Sequence, residues 1–237
     1  MEVEDKYSPV ADTTNLRMLF AIAAQNNIII ISFDVKTAFL DGFVNGFVEN
    51  PSNEDIINVN RIFRYLKGLI ELGLHYSSGD HIQAYSDSDY AGSGPPGKMM
   101  STTGYVLTYA NGPVAWCSRK QNIVALSTSE GEYIEAAESC TEIQYISSMY
   151  NETTNETAKV TLHMHNQSAI KMIKTAQMTR RTKHINVRFY YISVAYEEKL
   201  FNLTHCPTDE QTADIFTKDL KVNKFQKFKN TLCDEIK

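Results

Sequence analysis

The chain has 237 residues, enough for one substantial core or for one domain with an appendage. With 43% apolar and 22% charged residues, its composition excludes a disordered or fibrous chain. A formal net charge of -5 argues against a general nucleic-acid coat protein, although overall charge can hide a local basic patch.

Met1 to Pro9 is mostly charged and polar, so no signal peptide is expected there. Leu16 to Ala24 has helical apolar spacing, which Asn26-Asn27 breaks. Ile28 to Phe33 then reads as a buried β-branched strand ending at Asp34; it is the longest apolar run and far too short to span a bilayer. The pattern stops around Glu49 to Asn53. A new helix begins near Asp55 and carries Ile56, Ile57, Val59, Ile62, Phe63, Leu66 and Leu69, a stripe wide enough to need a partner. Gly73 and Ser77-Ser78-Gly79-Asp80 close this section, and a domain boundary is expected there.

From His81 onward the order is clearer. Strands are expected at Ile82 to Ser86, Gly104 to Tyr109 and Val114 to Ser118, the last two joined by a hairpin signal at Asn111-Gly112. A long helix opens with a Ser/Thr cap at Ser127 and runs to about Tyr150. A strand at Val160 to Met164, helices at Ser168 to Lys174 and about Thr182 to Glu198, and a strand at Leu200 to Cys206 follow. Asp209 onward reads as helix to near the C-terminus. A three-strand meander followed by alternating helix and strand predicts an α/β fold, a mixed sheet flanked by helices.

Between Thr157 and Tyr196 there is no acidic residue, while Lys159, Lys171, Lys174, Arg180, Arg181, Lys183 and Arg188 fall there. This is either a solvated face or a phosphate-binding one. Cys117, Cys140, Cys206 and Cys233 lie far apart, with no CxxC pair and no zinc-like spacing, and read as free thiols in a reducing compartment. The glycosylation sequons at Asn151, Asn155 and Asn202 are then chance matches, and an intracellular protein, cytoplasmic or nuclear, is expected. Nothing in the sequence sets an oligomeric state.

Three carboxylate signals stand out, none strong alone. Asp87 and Asp89 end the first strand of the core: if the strand continues they share a face and either stay solvated or share a cation, and otherwise they are a loop pair. Glu132 borders the apolar stripe of Tyr133, Ala136, Cys140 and Ile143, whereas Glu135, Glu138 and Glu142 gather on the opposite, solvent-facing side. Burial of Glu132 costs several kcal/mol, on the order of the penalty for an uncompensated charge, unless a cation or donors oppose it. Asp214 follows the fifth strand and fits the first turn of a helix, where the dipole favours an acid.

Taken in order, "YSDSDYAG", "STTGYVLTYANGPVAWCSRKQNIVALSTSEGEYIEAAES", "NQSAI", "RTKHINVRFYYI" and "PTDEQTADIFTKDL" resemble the ribonuclease H domain of copia-type retrotransposon Pol polyproteins, over about Ile82 to Leu232. The resemblance implies a ribonuclease H-like five-stranded mixed sheet with flanking helices. It also implies cleavage of the RNA strand of RNA/DNA hybrids by two divalent ions, Mg²⁺ or Mn²⁺, held by four acids. By motif, Asp87 is the first acid, Glu132 the second and Asp214 the fourth, and all three are the expected catalytic and metal-binding residues. The third is missing: His165 stands where the family has an aspartate directly before Asn166. Imidazole brings no negative charge and suits Mg²⁺ poorly, so weakened or absent activity is expected, a softer ion such as Mn²⁺ being better tolerated. His205 is similar in placement to a histidine that assists turnover in some ribonucleases H. Arg180, Arg181, Lys183 and Arg188 would contact hybrid phosphates. No membrane partner and no small-molecule cofactor are implied.

Upstream, "YSPVADTTNLRMLFAIAAQNNIIIISFDVKTAFLDG" resembles the start of a reverse transcriptase palm, with Asp34 at the first catalytic aspartate. "VNRIFRYLKGLIELGLHY" resembles the connection before the ribonuclease H domain. The intervening segment with its Tyr-x-Asp-Asp motif is absent, so no polymerase activity is expected, and the join falls near Asn50 to Asn53. The expected organisation is a truncated palm remnant over 1–50, a connection helix over 51–80 and the ribonuclease H-like domain over 81–237. Three readings remain open: a residual hybrid nuclease, an inactive nucleic-acid-binding relic or domesticated protein, and an abrupt join of two pieces of a decayed element.

Overall fold

The computed structural model describes residues 13–26, 64, 72–90, 100–175 and 187–235. Along the chain these form α1 (Thr13–Gln25), β1 (Leu72–Gly73), β2 (Ile82–Asp89), β3 (Thr102–Tyr109), β4 (Gly112–Lys120), α2 (Thr128–Thr154), β5 (Val160–Met164), α3 (Gln167–Thr175), α4 (Val187–Glu197) and β6 (Asn202–His205). A 3₁₀ turn (Thr212–Phe216), α5 (Val222–Leu232) and β7 (Asp234–Glu235) follow. The strand expected at 28–33 and the helix near Asp55 to Leu69 lie outside the described residues, Arg64 excepted.

The five long strands make one mixed sheet in the order β4-β3-β2-β5-β6. β2, β3 and β4 are an antiparallel meander, and β5 and β6 run parallel to β2. This is the five-stranded mixed sheet with flanking helices that the motifs imply. Parallel neighbours need a crossover, and α2 supplies the one from β4 to β5 while α3 and α4 supply the one from β5 to β6. α2 lies on β2 and β3, α3 and α4 pack beside it, and the 3₁₀ turn contacts β2 and β3. The core between sheet and helices includes Ile82, Ala84, Leu107, Tyr109, Ile134, Ala136, Cys140, Ile143, Ile146, Leu162, Met164 and Ile192.

Alternation along β2 decides where the chemistry goes. Ile82 and Ala84 enter the core, and Ser86 and Ser88 continue that face toward α2. Asp87 points the other way, to the 3₁₀ turn, where it accepts a hydrogen bond from the Thr217 hydroxyl. The strand does continue to Asp89, so the loop-pair reading of Asp87 and Asp89 is corrected: Asp87 is fully buried, while Asp89 is half-buried.

Three local expectations differ from what forms. The hairpin turns on Ala110 and Asn111, both with positive φ (51° and 62°), so Gly112 is already in β4. A side chain at Gly112 would meet the Tyr76 ring, which crosses there and donates its hydroxyl to the Pro113 carbonyl at 2.9 Å. The helix expected from Asp209 is two pieces, because the Asp214 carbonyl takes both the Thr217 and Lys218 amides and the chain then leaves helical geometry before α5 begins. Glu135 does not face solvent: it is fully buried, with neither carboxyl oxygen hydrogen-bonded, because α2 lies over β2 and β3 and packs against α3 and α4.

α1 shares this core. Met18, Ala21 and Ile22 are buried in the same apolar cluster, and α1 contacts β4 and α2. Arg17 stacks over the Trp116 ring at 3.9 Å, the Tyr145 hydroxyl of α2 donates to Asn15, and the Gly79 amide donates to Gln25. Among the described residues no helix is long and apolar enough to cross a membrane. All four cysteines are free, with Cys140 and Cys206 buried.

Candidate active site

The site sits at the carboxyl end of β2 and β5, where the two parallel strands stop pairing. Their last pair is Tyr85 with His163, so two residues further on Asp87 and His165 come side by side. Gln211, itself buried, holds the gap: its amide nitrogen donates to the Ser86 carbonyl at 2.9 Å and to the His163 carbonyl at 3.3 Å. It also anchors the turn that carries Asp214.

Helix α2 brings Glu132 to the same place. Its start is fixed by Ser127, whose hydroxyl oxygen accepts from the Glu130 amide at 3.2 Å, while the Glu130 carboxylate accepts from the Leu126 amide at 3.0 Å. Gly131 lets the helix approach β2, since a side chain there would press on Ser88. The neighbouring Gln121 donates to the Gly131 carbonyl at 2.9 Å. Gly104, the strand partner of Asp87, is glycine for a similar reason: a Cβ would collide with Thr217 and Phe216 and push the 3₁₀ turn off the sheet.

His165 Nδ1 lies 3.3 Å from Asp87 Oδ1, and Nε2 lies 3.4 Å from Glu132 Oε1. Burial pushes the imidazole below its ordinary pKa against the pull of Asp87, so it is neutral at neutral pH. A neutral imidazole has one N–H, so it can donate to only one of the two carboxylates it touches. Burial first, and Asp87 second, push the Glu132 carboxyl well above its ordinary range. Its Oε2 is buried with no hydrogen-bond partner.

Asp214 lies on the other side of Asp87 and is differently served. Lys218 Nζ donates to Asp87 Oδ1 at 2.9 Å and to Asp214 Oδ1 at 3.0 Å, and Lys224 Nζ donates to Asp214 Oδ2 at 2.6 Å. Burial opposes the Lys218 charge, but the two aspartates outweigh it and raise its pKa. Two buried carboxylates, Glu132 and Asp214, thus converge on a third, Asp87, with an imidazole on one flank and two ammonium groups on the other.

The chain is 35% identical over 196 residues to the retrovirus-related Pol polyprotein from transposon TNT 1-94 of Nicotiana tabacum, a match covering 82% of this chain and 14% of that one. It is 31% identical over 185 residues to the Pol polyprotein from transposon RE1 of Arabidopsis thaliana, covering 77% of this chain and 12% of that protein. The chain belongs to the Pol polyproteins of copia-type retrotransposons. It spans about one-seventh or less of the length of these two Pol relatives. No protein-family model matches it. Among solved structures, the ribonuclease H1 LC11 isolated from compost is 15% identical, covering 59% of this chain and 94% of its own, with a TM-score of 0.44.

Against the copia-type pattern, the structure brings Asp87, Glu132, His165 and Asp214 together. His205 ends β6 and is exposed. Arg180, Arg181 and Lys183 lie outside the described residues; Arg188 is on α4, with its side chain outside them. Asp34 is likewise outside. The copia-type motif reading missed Lys218, Lys224, Thr217 and Gln211. Lys218 had a signal, since it stands four residues after Asp214, the spacing of a helical ion pair.

The residues fit one divalent ion better than two. Ligand atoms of Asp87, Glu132 and His165 all lie within 4.8 Å of one another, and Glu132 Oε2 is buried with no hydrogen-bond partner. Both oxygens of Asp214 are already bound by lysines. This is a ribonuclease H-like domain with a clustered Asp/Glu/His set, not an all-acidic one.

Proposed function

We propose that residues 81–237 are a ribonuclease H domain whose substrate class is the RNA strand of RNA/DNA hybrids, and that its hydrolysis is impaired because His165 stands in for the third acid. Residues 51–80 are read as the connection and 1–50 as a palm remnant without polymerase activity. The observation that carries this reading is the convergence of Asp87, Glu132 and His165 around one point with ligand atoms within 4.8 Å. The set keeps the position of a metal centre and loses one negative charge from it.

Asp87, Glu132 and His165 would hold a divalent ion, and such an ion supplies a polarised water and stabilises charge on the phosphate oxygens. The chain's own contribution is positional. Thr217 and Lys218 fix the Asp87 carboxylate, and Gln211 holds the turn so that Asp214 stays beside it. Lys218 and Lys224 supply positive charge where the hybrid's phosphates would approach. Arg180, Arg181, Lys183 and Arg188 extend the proposed groove in sequence, and free cysteines suit an intracellular setting.

The test is cleavage of a labelled RNA/DNA hybrid by the purified chain and by His165→Asp, in Mg²⁺ and then Mn²⁺. Little or no cleavage by the unaltered chain in Mg²⁺ is expected. His165→Asp should gain about 100-fold or more, the scale on which one group stabilising transition-state charge acts. Equal rates for the two proteins would overturn the role given to His165. Hybrid binding without cleavage by either would favour the second reading, a binding relic, which the same substitution motivates.

A further inference from the structure

Resting on the reading of Asp87 and Glu132 as metal ligands, we propose that this chain holds a one-ion centre for a borderline first-row divalent metal. Asp87, Glu132 and His165 are its ligands, and the Lys218 ammonium serves as the fixed second cation between Asp87 and Asp214.

The donors come from three separate elements, the end of β2, the first turns of α2 and the residue after β5, so they are brought together by the fold and are not a chance run of acids in sequence. Ligand atoms bound about 2.0–2.2 Å from a common ion lie at most about 4.4 Å apart. The 4.8 Å span here closes with shifts of a few tenths of an ångström, about the freedom of one carboxylate rotation. Glu132 Oε2, buried and without a partner, is the atom that a cation would satisfy.

Donor type selects the class of ion. Mg²⁺ asks for oxygen in a near-ideal octahedron, whereas Mn²⁺, Co²⁺ and Zn²⁺ accept a mixed imidazole and carboxylate set. The lysines set the number of ions. Asp87 Oδ2 takes the Thr217 hydroxyl, Asp87 Oδ1 and Asp214 Oδ1 take Lys218, and Asp214 Oδ2 takes Lys224. With Asp87, Glu132 and Asp214 ionised (-3) and Lys218 and Lys224 charged (+2), the cluster carries -1. One divalent ion makes it +1 and two would make it +3.

The experiment titrates the full chain with Mn²⁺, counting bound ions by the loss of the free-ion electron paramagnetic resonance signal, and compares melting temperatures in Mn²⁺, Co²⁺ and Mg²⁺. One Mn²⁺ per chain is expected, bound at least about 10-fold more tightly than Mg²⁺, with melting raised by about 4 °C or more at saturating Mn²⁺. Co²⁺ should show visible bands that His165→Gln and His165→Ala both remove, and each variant should lose the Mn²⁺-dependent rise in melting while staying folded in metal-free buffer. Lys218→Met should raise the stoichiometry toward two. Two ions on the unaltered chain, Mg²⁺ bound as tightly as Mn²⁺, or Co²⁺ bands that survive loss of His165 would each overturn the proposal. The hybrid assay of His165→Asp is scored separately. A chain that binds no Mn²⁺ while His165→Asp cuts would end the one-ion centre and leave the nuclease reading standing. One Mn²⁺ through His165 with no cutting by His165→Asp would do the reverse.

Discussion

The β4 edge of the sheet and the carboxyl end of β2 and β5 are built from opposite materials. At the edge, α1 buries Met18, Ala21 and Ile22 against the sheet and α2, and polar groups enter only at its margins. At the carboxyl end the same sheet buries Asp87, Glu132, Glu135 and Asp214. Apolar burial stabilises a fold in proportion to area, whereas buried carboxylates must be neutralised, paired or left at a cost. The difference separates what keeps the chain folded from what is kept at the expense of folding, and a cost of that kind marks a site.

The largest expected effect falls at the edge. Met18 is fully buried, so Met18→Ala removes its contacts and leaves a cavity between α1 and the core. A loss of about 2–5 kcal/mol is expected, as for other large-to-small changes in cores. Chemical denaturation of the full chain measures it. A loss below about 0.5 kcal/mol would mean that α1 is a detachable appendage and that the core ends at β4.

A change of opposite sign is expected at the carboxyl end. Glu135 is buried with both oxygens unpartnered, facing Ser86, and burial holds its pKa well above the ordinary 4.5. The folded state therefore keeps a proton that the unfolded chain releases. Its stability contribution is complete below about pH 4.5 and falls as pH rises toward the folded-state value. Glu135→Gln is neutral at every pH, so it should match the parent near pH 4 and exceed it by about 1–3 kcal/mol at pH 8. Glu132 shifts in the same direction and leaves part of the slope in the variant. Parallel stability curves from pH 4 to 8 would show that Glu135 is not the proton-holding group.

These two regions were not equally legible in the sequence. The strand and helix order of the core follows from periodicity, but the first core strand was expected to end at Ser86 and runs on to Asp89, because pairing of Asp87, Ser88 and Asp89 with β3 overrides the turn-like Ser/Asp composition there. Glu135 was misread because a helical wheel sorts charge toward solvent. Glu132 and Glu135 are three residues apart and share a face, and the first turns of α2 have almost no solvent side: Glu130 through Ala137 are all buried. Lys218 was legible only as a helical i,i+4 partner of Asp214. What brings it to Asp87 is the end of the 3₁₀ turn, fixed by the Thr217 hydroxyl and by the missing side chain at Gly104, contacts between residues more than 100 positions apart in the chain. The α1 docking could not be read at all, since an apolar helical stripe does not say which surface it covers.

The smallest effect sharpens the edge. Arg17 stacks on Trp116 at 3.9 Å from the ring centroid, and Trp116 is 40% exposed. A cation over a partly exposed ring contributes about 0.5–1 kcal/mol, so Arg17→Ala should lower stability by no more than that. The chain has a single tryptophan, so its fluorescence reports this contact without interference. Arg17→Ala should shift the emission while leaving the unfolding transition single and only slightly earlier. Met18→Ala, by contrast, should move the whole transition. If Arg17→Ala lowers stability as much as Met18→Ala does, α1 is held by its polar margin and not by the apolar face. The contrast between an edge made of burial and a carboxyl end made of charge would then fail.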